Sequence, residues 1–82
     1  MSFDFPSTLL YAGNVPVADT PFDGATARWV LIGAAGNVAV KLKGQSTFTV
    51  FTLAVGVFHR LECTELGNAA SGTTATSIRV MQ

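Results

Sequence analysis

Two residues of this 82-residue chain could act as a nucleophile and its base, His59 and Cys63, the only histidine and the only cysteine. A catalytic pair of this type needs a ring nitrogen within hydrogen-bond reach of the sulfur. A helix would bring positions four apart onto one face. A strand would separate them by about 13 Å, because each residue advances the chain by about 3.3 Å. The pair can therefore work only if residues 57–66 are helical.

Residues 57–66 suit a strand better than a helix, because glycine and hydroxyl residues flank them and are typical of hairpins. In a strand, alternate positions from Val57 to Cys63 share one face. A short helix remains the alternative, carrying Leu61, Glu62, Glu65 and Leu66. We interpret Cys63 as a small core residue and His59 as an edge or subunit-contact residue. No catalytic residue is predicted, and we expect no enzyme.

The acidic residues form no catalytic or metal-binding pattern. Asp19 and Asp23 lie in a proline-rich segment, where aspartate commonly closes turns. Glu62 and Glu65 would project to opposite faces of a strand. One histidine and one cysteine are too few for a convincing transition-metal site. Residues Gly33–Gly36 lack the lysine and the following helix of a phosphate loop, so we predict a hairpin turn there, no metal and no other cofactor.

Five β-rich runs separated by turn residues must position these side chains. The run Val38–Lys43 alternates apolar and polar residues. The run Arg28–Ala34 is apolar on both faces from Trp29 onward, as in a strand that is covered on both sides. In the third run, Ser46–Leu53, the apolar parity shifts, which indicates a bulge or burial on both faces. The spacing predicts an all-β fold, a small antiparallel β-sandwich or barrel of about five to seven strands. In the order of the chain, the runs are Arg28–Ala34, Val38–Lys43, Ser46–Leu53, Val57–Leu66 and Thr73–Met81.

The first 26 residues are predicted to be an extended N-terminal arm in front of a single β domain of residues 27–82. They hold all three prolines of the chain, and proline favours extended backbone and removes a hydrogen-bond donor. The arm is also rich in apolar side chains, which disordered segments lack, so it should lie against a protein surface. We predict assembly contacts at six of its residues: Phe3, Phe5, Leu9, Leu10, Tyr11 and Phe22.

The composition points to a protein surface that other proteins cover. The chain is 49% hydrophobic and 12% charged, and its five basic and five acidic residues cancel, whereas soluble domains carry about 25% charged residues. The basic residues are scattered, so no stripe exists to bind nucleic acid. No run of about 20 apolar residues could span a membrane. The single cysteine and the lack of a visible signal peptide fit synthesis in a reducing cytoplasm.

Three stretches of the chain carry a family resemblance in their order and spacing. They are Ala35–Val40 after a strand ending in Gly33, then Val55–His59, and then Ala70–Thr76 before the last strand. With them, residues 28–82 resemble the phage-related head spike base family, known from gene transfer agents and tailed phages. Arg60 departs from the pattern, because the family is expected to have proline there. The family is structural, so the resemblance carries over no catalytic residue.

The resemblance implies a virion structural protein, assembled in the host cytoplasm. It would be a homo-oligomeric base, or pedestal, that attaches a head spike or fibre to the capsid vertex. Its partners would be copies of itself, the capsid protein and the spike or fibre protein, with no nucleic acid and no membrane. A pentamer is favoured at a vertex, and a trimer or hexamer is possible. Residues 1–26 would dock on a neighbouring subunit or the capsid, and the loop Gly67–Gly72 would face the other partner.

Two further readings stay open. The same composition would serve a capsid decoration or cement protein, or a tail or baseplate component of a bacteriophage. Copy number separates these roles, because a vertex, a cement site and a tail have different symmetries. A small carbohydrate-binding module is less favoured. It would need exposed Trp29 or Tyr11 to stack on sugar rings.

Overall fold

A computed structural model describes residues 8–82 of the chain, and within that range the regular structure is seven β-strands and one short 3₁₀ turn. The predicted all-β class, the antiparallel pairing and the strand number are confirmed. The strands are β1 (Leu9–Gly13), β2 (Thr20–Pro21), β3 (Ala27–Ala34), β4 (Asn37–Leu42), β5 (Phe48–Thr52), β6 (His59–Leu66) and β7 (Thr76–Met81), with the 3₁₀ turn at Ala69–Ser71.

All seven strands belong to one antiparallel sheet, which is not closed into a barrel. The order is β1-β7-β3-β6-β4-β5, and the two-residue β2 pairs with β6 beyond the end of β3. The long strand β6 is therefore the centre of the sheet, with β3 and β2 along one side and β4 along the other. No helix within residues 8–82 is long and apolar enough to cross a membrane.

The predicted hairpin at Gly33–Gly36 is not what the structure shows. A bend at Ala35 and Gly36 does join β3 to β4, but these two strands do not pair with each other, because β6 lies between them. A Cβ at Gly36 would lie 2.5 Å from the backbone nitrogen of Ala75, and Gly36 has a φ of 154°. Glycine is thus required here by close backbone approach rather than by a hairpin.

The core lies on one face of the strands, as the alternation of apolar residues predicts. In β4, Val38 and Val40 are fully buried, and in β7 so are Ile78 and Val80. Strand β3 was expected to be covered on both faces, yet its outer side is only half-buried. The core cluster comprises Phe22, Ala27, Val30, Ile32, Val38, Val40, Cys63, Leu66, Ala75, Ile78 and Val80.

The parity shift in the third run has a simple cause. Strand β5 pairs with β4 without any register shift, so no bulge is present. Phe51 packs against the core from one face of β5. Phe48 lies on the other face, where the ammonium of Lys41 is 5.0 Å from its ring centroid. Val50 lies on the same face as Phe48 and is 48% exposed, and no residue of β5 is fully buried. The predicted alternative of burial on both faces is therefore wrong as well, and the parity shifts because Phe48 and Val50 are apolar residues on the more open face.

The described part of the predicted N-terminal arm packs on the rest of the same chain. Strand β1 pairs with β7, and β2 pairs with β6. Phe22 is buried in the core and its N–H donates to the carbonyl of Thr64. The sheet and the core therefore continue across the predicted boundary at residue 26.

Candidate functional site

The two residues with catalytic potential lie on one strand, β6, and strand geometry separates them. Burial raises the pKa of the Cys63 thiol to about 12, which leaves it protonated and poorly nucleophilic at neutral pH. His59 Nε2 lies 3.0 Å from the carbonyl oxygen of Ala54. A carbonyl can only accept, so this nitrogen donates. The strand prediction for this run is confirmed, and His59 fastens the preceding loop to β6.

The acidic side chains serve local contacts. Asp19 accepts hydrogen bonds from the backbone N–H of Asn68 at 2.9 Å and from the Ser71 hydroxyl at 2.8 Å. These two bonds, with a smaller contribution from the charge of Lys41, hold the pKa of Asp19 below its ordinary value. Glu65 forms an ion pair with Lys41 at 3.4 Å. Within residues 8–82, no three histidine, cysteine or acidic side chains are grouped as metal ligands would be.

The loop Gly67–Gly72, which we expected to face a partner, is held by hydrogen bonds within the chain. Asn68 caps the 3₁₀ turn by accepting from the N–H of Ser71 at 3.1 Å. The buried hydroxyl of Thr73 donates to the Gly67 carbonyl at 2.6 Å. The N–H of Gly67 also donates to the carbonyl of Ala39 in β4 at 2.8 Å. With the bonds from Asp19, the loop is therefore hydrogen-bonded both to the N-terminal segment and to β4.

The six predicted assembly contacts fall into four groups. Phe3 and Phe5 lie outside the described residues. Leu9 is 55% exposed on β1. Leu10 and Tyr11 are half-buried against the core, and Phe22 belongs to it. Phe22 is buried without a neighbouring subunit. Leu9 is therefore the described residue of the six that is most accessible to a partner.

Trp29 lies on the outer face of β3 in a small aromatic group. The ring of Phe58 meets it edge-on, with centroids 6.4 Å apart and planes at 82°. The guanidinium carbon of Arg60 lies over the indole, 5.3 Å from its centroid. The indole Nε1 is buried and has no hydrogen-bond partner within the described chain. Because Arg60 covers one face and the N–H is buried, Trp29 is a poor sugar-stacking platform.

The largest exposed apolar feature was not among the predicted contacts. Val50, Val55, Val57 and Phe58 are each 46–51% exposed, and we call residues 50–58 the apolar segment. The sequence signal for it was present, since residues 44–58 contain no charged side chain. Solvent exposure depends on which strands cover β5, and the sequence alone did not give it.

The end of the apolar segment is fixed to the sheet at two points. The N–H of Gly56 donates to the carbonyl of Ile32 at 2.9 Å, and His59 holds Ala54 as described above. The loop that carries Val55, Val57 and Phe58 is therefore anchored to both β3 and β6. An anchored apolar loop can be buried in an interface with little loss of conformational entropy.

No family model, no curated protein and no solved structure matches this chain. The resemblance to the head spike base family therefore stays a prediction.

Proposed function

We propose that this chain is a structural protein of a virion, a homo-oligomeric base that attaches a head spike or fibre to the capsid. The observation that carries the proposal is the apolar segment. Four large apolar side chains lie half-exposed on a chain with zero net charge. Soluble monomers usually hide such clusters and carry a net charge, whereas interface surfaces are apolar and poor in charge.

The rigidity of the surface supports a structural role. The apolar loop is tied to β3 and β6, and the loop Gly67–Gly72 is tied to β4 and to Asp19. Both are preorganised surfaces, as proteins that stack in an assembly need. A capsid cement protein or a tail component would use the same surfaces, and copy number in the particle separates these placements.

The first experiment tests the virion role directly. Particles purified from a host that expresses this protein should contain it in fixed stoichiometry, measured by quantitative mass spectrometry. Particles made without its gene should retain filled capsids and lose the spike or fibre in electron micrographs. Absence of the protein from purified particles would exclude a virion role. Loss of capsids in the deletion strain would point to a cement function instead.

A second experiment tests whether the apolar segment forms the contact. The double variant Val57→Ser with Phe58→Ser should reduce incorporation into particles, because it replaces two of the four large apolar side chains that the segment exposes. The matched control is Val17→Ser, since Val17 is fully exposed and lies outside the segment. Equal incorporation of the double variant and the control would contradict a role for this surface.

A further inference from the structure

Strand β5 forms one end of the sheet, and no strand within residues 8–82 pairs with its outer side. Its pairing with β4 runs without a register shift, from Asn37 opposite Thr52 to Lys41 opposite Phe48. The other end of the sheet differs, because β1 has a register shift between Leu9 and Tyr11. Of the two end strands, β5 is therefore the one with a regular register.

The hydrogen bonds of β4 show which backbone groups of β5 point outward. The N–H of Ala39 donates to the Thr73 hydroxyl at 3.0 Å, and the carbonyl of Ala39 accepts from Gly67 at 2.8 Å. Both groups of Ala39 thus point away from β5. Ala39 therefore belongs to a non-hydrogen-bonded pair, in which the backbone N–H and C=O groups of the two opposite residues point away from each other. Val50, which lies opposite Ala39, must therefore direct its N–H and C=O to the open side.

The same reasoning extends along β5. Asn37 donates its N–H to the Thr74 hydroxyl and accepts from the Thr74 N–H, both at 2.8 Å, so Thr52 opposite it also points outward. The period of two in a strand adds Phe48. The open edge therefore presents the backbone donors and acceptors of Phe48, Val50 and Thr52.

These three residues are spaced symmetrically about Val50, which makes the edge complementary to itself. If a second copy approaches antiparallel, Val50 meets Val50 of the second copy, and Phe48 meets Thr52 of the second copy. All of these are hydrogen-bonded pairs, each exchanging two N–H···O bonds. The side chains that meet are uncharged, and no charged residue lies between positions 44 and 58. Two copies can thus approach without repulsion between like charges.

Strand β5, FTVFT, has no charged side chain, no proline and no bulge, three of the features that normally prevent such pairing. Natural edge strands are protected by charged side chains, proline, bulges or a covering loop. Val50 itself is 48% exposed. An unprotected regular edge of this kind is the usual feature of a strand that pairs with another chain.

We propose that Phe48–Thr52 of two copies pair antiparallel about a two-fold axis at Val50, joining two sheets into one. The proposal specifies the self-contact of the proposed homo-oligomer and in that sense rests on the proposed function. A two-fold contact closes a dimer and, combined with a three-fold ring, a hexamer. A five-fold ring would need a different, head-to-tail contact. The geometry therefore favours an even copy number over the pentamer.

The test uses charge reversal at the two-fold axis in the full-length chain. Val50→Lys and Val50→Glu each place two like charges opposite each other, and each variant alone should have half the wild-type mass by sedimentation velocity. An equimolar mixture of the two should recover the wild-type mass, because opposite charges then face each other. Val17→Lys is the matched control and should keep the wild-type mass, because Val17 is fully exposed, lies outside every strand and is not a predicted assembly contact. Far-ultraviolet circular dichroism verifies that every variant is folded.

Three outcomes overturn the proposal. Folded Val50 variants that keep the full wild-type mass would locate the self-contact elsewhere. A mixture that does not recover the wild-type mass would make the loss an indirect effect of the substitution. A wild-type chain that is monomeric at every concentration would assign the edge to a strand of another protein. None of these decides the virion role, which fails separately if purified particles lack the protein.

Discussion

The hydroxyl of Thr73 accepts the N–H of Ala39 at 3.0 Å and donates to the carbonyl of Gly67 at 2.6 Å. Ala39 lies in β4 at a position where β6 has not yet begun to pair, because their ladder starts at Val40. A side-chain oxygen thus replaces a missing strand at this point of the sheet. The loop that follows β6 is therefore part of the sheet's hydrogen bonding and not a free connection.

Thr73→Val keeps the shape of the side chain but removes its hydroxyl, and it should destabilise the protein strongly. Thr73 is fully buried, so two backbone groups would lose their partner without access to water. We expect a loss of about 2–4 kcal/mol in the free energy of unfolding, measured by denaturant titration. Thr74→Val is the control, since Thr74 is exposed and water can replace its bond; its loss should stay below about 1 kcal/mol. Equal losses would contradict the role assigned to Thr73.

Because of Asp19, the free energy of unfolding should depend on pH in the acid range. Its pKa in the folded protein lies below the ordinary value of 3.8, chiefly because of the bond from the Asn68 N–H. A lowered folded pKa means that the stabilisation is complete above 3.8 and is lost as the pH falls through the folded pKa. Asp19→Asn should flatten the pH dependence of unfolding in this range. Asp23→Asn is the matched control, and an identical change in both variants would count against the assignment.

The same carboxylate can be observed directly. The side-chain carbon of Asp19 should titrate in NMR below pH 3.8, and in Ser71→Ala its midpoint should move upward, because one of the two bonds is removed. Asp19 is exposed, so salt should weaken only the contribution from Lys41. An unchanged midpoint in Ser71→Ala would show that this hydroxyl does not stabilise the carboxylate.

Cys63 should be unreactive in the folded protein. Its pKa is raised to about 12 from 9.0 by burial, which lowers the thiolate fraction about a thousandfold at neutral pH. A thiol reagent should therefore label the native chain slowly and the chain unfolded in guanidinium quickly. By linkage, the raised pKa stabilises the fold below pH 9.0 and that stabilisation is lost as the pH rises towards 12. Rapid labelling of native protein would contradict the burial of Cys63.

Truncating a fully buried core side chain should destabilise the protein. Ile32 is fully buried on β3, and Ile32→Ala should cost about 2–5 kcal/mol of the free energy of unfolding. Val17→Ala is the control, because Val17 is fully exposed and should change stability by less than about 0.5 kcal/mol. Denaturant unfolding measures both. A small loss in Ile32→Ala would mean that this end of the core is loosely packed.

Much of the fold could be predicted because alternation of apolar residues is a local signal. The pairs Val38 and Val40, and Ile78 and Val80, stand two positions apart in the sequence and all four face the core. The periodicity of a strand fixes this relation without reference to any other strand. The strand at His59–Leu66 followed in the same way, from its flanking turn residues.

The pairing partners could not be predicted, because they depend on contacts between distant parts of the chain. Ala35 and Gly36 look like a hairpin turn, yet β6 separates the strands on either side. The residues before Ala27 look like a separate arm, yet Phe22 is buried in the core. Prolines describe local backbone preference and carry no information about which surface a segment covers.

The sequence by itself determined the all-β class, the buried faces of β4 and β7, the separation of His59 from Cys63 along one strand and the lack of a charge excess. The tertiary structure decided that β6 is central, that Phe22 belongs to the core and that β5 is an open edge. The reason is physical. Alternation and turn chemistry act over a few residues, whereas strand order follows from which apolar faces can be buried together. The outer edge of β5, from which we infer self-association, is defined only by the strand order.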